Sequence, residues 1–303
     1  MARIVVVGSG VVGTATGKGF ADFGHAVQFV DINRSRVEEL RGQGYAATTT
    51  IDLSGPPCFI LLTLPTPNSG RRYDLGPLEA GTRSVGEALR HATAFHTVVV
   101  RSTVPPGTCD NVVRPVLEQA SRRRVGEHFA LASNPEFLRA ASAREDFLMP
   151  WMTIVGSRSR RTVERLVDLY RPFGGEIRTF SNPAEAELVK CAHNLFNATK
   201  ISFWNELGLI GEQLGIGLDR VATTVARSAE GSINPEYGIR AGLPFGGACL
   251  PKDTNGFLGF AADLGVEMPV LEAVIRVNEV LAASLNGHGT VDEPTVEIQL
   301  MSA

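Results

Sequence analysis

The run Gly8-Ser9-Gly10-Val11-Val12-Gly13 constrains the fold more than any other stretch, because of what flanks it. Ala2 to Val7 precedes it as a short, β-branched run, the pattern of a parallel strand buried on both faces. Thr14 to Phe23 reads as a helix closing at Gly24, and a second apolar run, Ala26 to Val30, ends on Asp31. In that setting each glycine has a purpose. The first makes the turn, the second lets a pyrophosphate approach the backbone, and the third packs helix on strand. The pyrophosphate sits over the helix N-terminus, whose free N–H groups and dipole favour anions. A dinucleotide site is therefore expected at Gly8, Gly10, Val11, Val12 and Gly13, with Asp31 on a ribose hydroxyl. Asp31 favours NAD over NADP, since a 2′-phosphate would meet a carboxylate. Arg34 and Arg36 are placed to meet either a phosphate or the adenine face.

Strand and helix patterns keep alternating. Cys58 to Leu64, Thr97 to Val100, Phe129 to Ala132, Thr153 to Val155 and Glu176 to Thr179 read as strands, with helices over Pro77 to Leu89 and Asp110 to Ser121. This is an α/β, Rossmann-type, doubly wound parallel sheet, expected over residues 1–182. Arg101-Ser102-Thr103-Val104-Pro105-Pro106-Gly107-Thr108 and Ser133-Asn134-Pro135-Glu136-Phe137-Leu138 break the chain at strand carboxyl ends, where open α/β sheets bind ligands. From Pro183 to Leu214 the periodicity becomes that of one long helix. Further helices are expected over Asp219 to Ala226, Thr254 to Leu264 and Pro269 to Leu285, with an irregular loop over Gly231 to Leu243. Residues 183–285 thus form an all-helical central domain, and 286–303 a tail without firm periodicity.

At 303 residues, two domains are the default. The net charge of −3, with no basic run beyond Arg122-Arg123-Arg124, leaves no footprint for nucleic acid. No apolar run reaches the roughly 18 residues of a membrane span. Cys58, Cys109, Cys191 and Cys249 are scattered without CxxC spacing, so no metal site is expected and the thiols read as reduced, in a cytoplasmic protein without a signal peptide.

Chemistry concentrates in Phe245-Gly246-Gly247-Ala248-Cys249-Leu250-Pro251-Lys252-Asp253. The glycines admit a ligand to the backbone, a thiolate is a strong nucleophile, and a carboxylate four residues on can accept protons. Taken alone, the stretch reads first as a Gly/Pro loop with a buried, inert cysteine and a solvated Lys-Asp pair. On the 183–214 helix, Lys190 and Asn194 are four apart and share a face, the pattern of a surface pair as well as of a site.

In colinear order, GSGVVG, RSTVPPGT, NPEFL, ELVKCAHN and FGGACLPKD resemble the UDP-glucose/GDP-mannose 6-dehydrogenase family, over Met1 to about Leu285. The resemblance implies four-electron oxidation of a nucleotide sugar's C6 alcohol to a carboxylate with two NAD, through a thiohemiacetal and a thioester on Cys249. It implies Lys190 and Asn194 as stabilisers of developing oxyanion charge, Asp253 in proton transfer, and Thr103 and Glu136 as residues that position water. Ser102, Thr103, Lys252 and Arg36 would join the cofactor contacts, and Phe137, Leu138, Lys190, Asn194, Arg240, Phe245, Gly246 and Gly247 the substrate contacts. A homodimer through the 183–214 helix, whose Phe203, Trp204 and Leu207 are apolar, is expected; burial of that face within one chain is the alternative.

The sequence also departs from the family. No resemblance to a C-terminal nucleotide-sugar-binding domain is found, so a short member is expected. Arg139-Ala140-Ala141 replaces a Glu-Gly pair after NPEFL, and Met149-Pro150-Trp151-Met152 replaces Asn-Pro-acid-Arg. Ile233 stands near a position where the family carries an arginine, with Arg240 nearby. Alternatives are therefore a two-electron dehydrogenase on a smaller substrate in a specialised pathway, completion of the pocket by a partner chain, or a non-catalytic NAD-binding protein.

Overall fold

The computed structural model describes residues 1–228, 230–234, 237–239 and 241–286. The expected tail, apart from Asn286, lies outside them. Compactness divides the chain into two units, Met1–Asn194 and Leu195–Ala303.

The first unit opens as its sequence requires. Strand β1 (Arg3–Val7) leads through the glycine turn into helix α1 (Val11–Asp22), then β2 (Ala26–Val30), α2 (Arg34–Gly42), β3 (Ala46–Thr48) and β4 (Cys58–Leu62). A two-stranded ribbon, β5 (Asn68–Ser69) and β6 (Arg72–Tyr73), precedes α3 (Gly76–His91) and β7 (Thr97–Val100). A π-helical turn (Cys109–Val113) runs into α4 (Arg114–Ser121), followed by β8 (Ala130–Ser133), α5 (Ala143–Leu148), β9 (Met152–Gly156), α6 (Arg160–Tyr170) and β10 (Glu176–Phe180). The sheet has the order β10-β9-β8-β7-β4-β1-β2-β3. All neighbours are parallel except β8 and β9, which meet antiparallel at Ser133 and Gly156. Strands β9 and β10 therefore run opposite to the other six.

Alternation along β1 explains why its whole sequence is apolar. Val5 and Val7 join Ile60, Leu62, Leu78, Leu89 and Leu117 on one face of the sheet. Ile4 and Val6 join Phe20, Phe29, Leu61, Phe147, Leu166 and Tyr170 on the other. Both faces are covered by helices, so period-2 side chains find no solvent side.

Helix α7 (Pro183–Leu214) begins in the first unit and ends in the second. The second unit adds α8 (Leu218–Ser228), α9 (Glu230–Ile233), α10 (Leu250–Asp263) and α11 (Pro269–Asn286). Its core is small, Ile210, Ala261 and Met268 with Leu207, Phe257 and Leu271 around them. Buried Glu206 strengthens it by accepting the Val270 and Leu271 amides at the start of α11. The short α9 replaces part of the loop expected over Gly231 to Leu243, and α10 begins at Leu250 rather than Thr254. Pro251 explains the earlier start, because a proline in a first helical turn forfeits no hydrogen bond.

Candidate active site

The glycine turn forms a cradle at the carboxyl end of β1. Gly8 has φ +94°, a left-handed conformation, and a Cβ there would lie 2.7 Å from the Thr63 carbonyl oxygen. A Cβ on Gly13 would lie 2.0 Å from the Gly8 oxygen, so helix and strand close over that position. A Cβ on Gly10 would meet nothing within 4 Å. Gly10 caps α1 without a side-chain bond, and the first turn holds no acid, leaving the Val11, Val12 and Gly13 amides at an open helix end. Asp31 stands at the end of β2 and ties the cradle together, its carboxylate accepting Ser9 N–H at 2.6 Å and Asn33 N–H at 2.9 Å. Arg36 donates through Nε to the Ser9 carbonyl at 2.8 Å and through Nη2 to Thr14 Oγ1 at 2.8 Å. An open helix N-terminus with space over its second glycine and a carboxylate beside it fits a dinucleotide: the turn would hold the pyrophosphate and Asp31 a ribose.

The next strands place polar loops beside this cradle. Ser102 Oγ donates to the Leu64 carbonyl at 2.7 Å, and the Thr103 carbonyl accepts from Thr66 Oγ1 at 2.7 Å. Buried Arg101 donates to Asn134 Oδ1 at 2.5 Å and to Tyr170 OH at 2.7 Å, and Asn134 Nδ2 donates to the Ile154 carbonyl at 2.6 Å. The loops after β7 and β8, which carry Thr103 and Glu136, are thus fixed from beneath.

Lys190 enters from α7. Its side chain is 8% exposed, and its Nζ lies 3.5 Å from Glu136 Oε1 and 5.1 Å from the centroid of Phe137. Glu136 Oε2 accepts the Leu138 amide at 2.5 Å. Phe137 meets Trp151 and His193 edge-on, and those two stack on each other with centroids 5.7 Å apart. Burial, then the nearby Lys190, pushes the His193 imidazole below its ordinary pKa. Asn194 is exposed at the end of the same turn.

In the second unit, Cys249 caps the N-terminus of α10. Its carbonyl accepts the Asp253 amide at 2.8 Å, and Lys252 Nζ pairs with Asp253 Oδ1 at 2.5 Å. The glycine loop is held to α11, because Asn278 accepts the Phe245 amide at 2.6 Å and donates to its carbonyl at 3.0 Å. Leu243, Phe245, Leu250, Val270, Val274 and Val277 line an apolar groove there. Arg240 lies outside the described residues.

Cys249 alone among the four cysteines is exposed. Burial pushes the Cys58 thiol up to about 11, Cys109 well above its ordinary value, and Cys191 up as well. Thiolate chemistry is disfavoured at all three.

The structure therefore gathers Gly8, Gly10, Val11, Val12, Gly13, Asp31 and Arg36 in one place, joins Glu136, Phe137 and Lys190 in a second, and sets Phe245, Cys249, Lys252 and Asp253 along one loop and helix start. Two participants were not read from the sequence. His193 follows Lys190 on α7 by about one turn, so helical spacing alone was a signal for it. Arg101 adjoins Ser102 but reads there as an ordinary strand-end residue.

Residues 2–49 and 45–174 match the UDP-glucose/GDP-mannose dehydrogenase family NAD binding domain, and residues 184–280 match that family's central domain. The chain is 34% identical over 305 aligned residues to UDP-glucose 6-dehydrogenase of Haloferax volcanii, covering 91% of this chain and 69% of that one. It is 33% identical to GDP-mannose 6-dehydrogenase of Pseudomonas aeruginosa, covering 91% and 68%. The crystal structure of a ternary complex of GDP-mannose dehydrogenase from Pseudomonas aeruginosa superimposes with a TM-score of 0.87 at 31% identity, over 96% of this chain and 72% of that one.

Proposed function

The chain belongs to the UDP-glucose/GDP-mannose dehydrogenase family, an NAD-dependent oxidoreductase acting on CH–OH donors, and from that premise we propose that it oxidises the primary alcohol of a nucleotide-linked hexose to a carboxylate. The observation that carries this reading is the buried Lys190–Glu136 pair beside Phe137. A cation held out of water, with one carboxylate for company, is a prepared site for developing oxyanion charge. Similarity to the UDP-glucose and GDP-mannose enzymes supplies the substrate class.

Bound NAD supplies the hydride acceptor, once for each two-electron oxidation. Asp253 takes the alcohol proton as the aldehyde forms. Cys249 Sγ then adds to the aldehyde carbon, making a C–S bond, and Lys190 and Asn194 steady the alkoxide until a proton neutralises it. Loss of a second hydride and a proton converts this thiohemiacetal into a thioester. Thr103 and Glu136 orient a water that breaks the C–S bond, releasing carboxylate and returning the thiol. The exposed Leu195, Phe196, Ile201 and Phe203 of α7 favour a homodimer. A cytoplasmic setting accompanies the reading. Among the described residues no helix is long and apolar enough to cross a membrane.

One observation favours a smaller substrate. Trp151 stands where the family carries a charged residue, and it is 56% exposed on the His193 and Phe137 rings. The test is NADH absorbance with NAD and a panel of UDP-, GDP- and ADP-sugars, free sugars and nucleosides. Two NADH per nucleotide sugar supports the reading. One NADH, from a smaller alcohol only, replaces it with the two-electron alternative, and NAD binding without turnover of any alcohol refutes both.

A further inference from the structure

We propose that Glu187 is a positioning residue for this site: its buried carboxylate fastens the loop following Thr103 to the helical turn that carries Lys190. The proposal rests on the reading that Thr103 and Lys190 serve one reaction. Glu187 is 1% exposed, yet no lysine or arginine pairs with it among the described residues. What it meets instead are main-chain donors. Oε2 accepts Gly107 N–H at 2.5 Å and Oε1 accepts Cys109 N–H at 2.8 Å, and the Thr108 backbone adds a third contact. These amides open the π-helical turn that leads into α4, so Glu187 caps that helical segment from across the fold.

A second strap lies one turn further along α7. Cys191 Sγ donates to the Val104 carbonyl at 3.3 Å, and the Tyr73 side chain contacts the same thiol. Val104 is bonded to Thr103, and Lys190 sits between the two straps in sequence, with its Nζ against Glu136. Movement of the loop relative to α7 is thereby resisted at both of its ends. Between the two straps, Pro105 and Pro106 have no N–H to offer.

Burial raises the Glu187 carboxyl to about 7, against the pull of the amide donors. The groups facing it are Asp110, which raises it further, and the thiols of Cys109 and Cys191; Lys190 on its own helix turns to Glu136, and Arg114 faces Cys109 from α4. The ionised carboxylate offers acceptors to all the amides; protonation removes one. Loop fastening is therefore tighter above about pH 7 and loosens as pH falls through it.

The test is Glu187→Gln in the full chain, an isosteric change that puts an NH2 group against an amide donor. Expected are a kcat at least tenfold lower with KM for the substrate and NAD affinity within about twofold, and faster amide hydrogen exchange at Gly107, Thr108 and Cys109 in a protein that still unfolds cooperatively. The acid limb of the wild-type kcat profile near pH 7 should vanish in the variant. Glu187→Asp, which keeps the charge on a shorter arm, should recover part of the kcat. An unchanged kcat overturns the proposal whether or not exchange accelerates, because the carboxylate would then be structural only. Unchanged exchange also overturns it. If the unsubstituted protein turns over no substrate, the functional reading falls separately, and exchange at these three amides decides whether Glu187 holds the loop.

Discussion

Replacing Gly10 and Gly13 separately by alanine dissects the cofactor cradle, because the two positions differ in what a methyl group meets. At Gly13 the new Cβ would lie 2.0 Å from the Gly8 carbonyl oxygen and 2.6 Å from Thr63 Oγ1. An ordinary contact needs well over an ångström more, and a main-chain oxygen pinned by the Thr63 hydroxyl at 2.6 Å cannot yield it. Helix α1 must lift from β1, at a cost of about 3 kcal/mol by analogy with overpacked cores. For a unit of this size that corresponds to a fall in Tm of roughly 10 °C, with NAD binding lost as well. At Gly10 the Cβ meets nothing within 4 Å, and φ is −65°, open to any residue. Stability should stay within about 0.5 kcal/mol. The methyl group nevertheless fills the space that the pyrophosphate needs, so NAD affinity should drop about 100-fold, equivalent to roughly 2.7 kcal/mol. Differential scanning fluorimetry and calorimetric titration with NAD separate the two effects. Wild-type affinity in Gly10→Ala, or wild-type Tm in Gly13→Ala, would refute the assignment of the glycine turn.

Asp31→Ala removes both the ribose acceptor and the partner of the Ser9 amide, so NAD should bind at least tenfold more weakly, measured by the same titration. Cys249→Ser should abolish acid formation while leaving NAD affinity unchanged; acid accumulating at the wild-type rate in a product assay would remove the covalent step from the mechanism. Brief iodoacetamide treatment of the folded protein should add one adduct by intact mass, at Cys249, since burial disfavours the thiolates of Cys58, Cys109 and Cys191. Adducts at any of those three first would contradict the burial argument.

The amino-acid sequence determined the elements whose signals are local. The run Arg3–Val7, the glycine turn and Ala26–Val30 announce themselves within thirty or so residues, because each strand is apolar on both faces and each glycine answers a steric demand. Helix α7 follows its periodicity from Pro183 to Leu214 as expected. Helices α2 and α6 are absent from the sequence reading because their buried residues are few: Val37 and Leu40 in one, Thr162, Leu166, Leu169 and Tyr170 in the other, among charged neighbours. The reversed direction of β9 is illegible for a different reason, as a period-2 pattern reads the same both ways along a strand.

At the site, the residue types in FGGACLPKD, NPEFL and ELVKCAHN marked out candidate groups. Which of them meet was decided by tertiary structure alone. Lys190 reaches Glu136 because the sheet brings the end of β8 beside the start of α7, and Glu187 reaches an amide 80 residues away for the same reason. Local propensity falls off within a turn or two of chain, whereas a buried charge must find its partner wherever packing puts one. The sequence offered candidate groups; burial and long-range hydrogen bonds decided how Lys190, Glu136 and Glu187 are held.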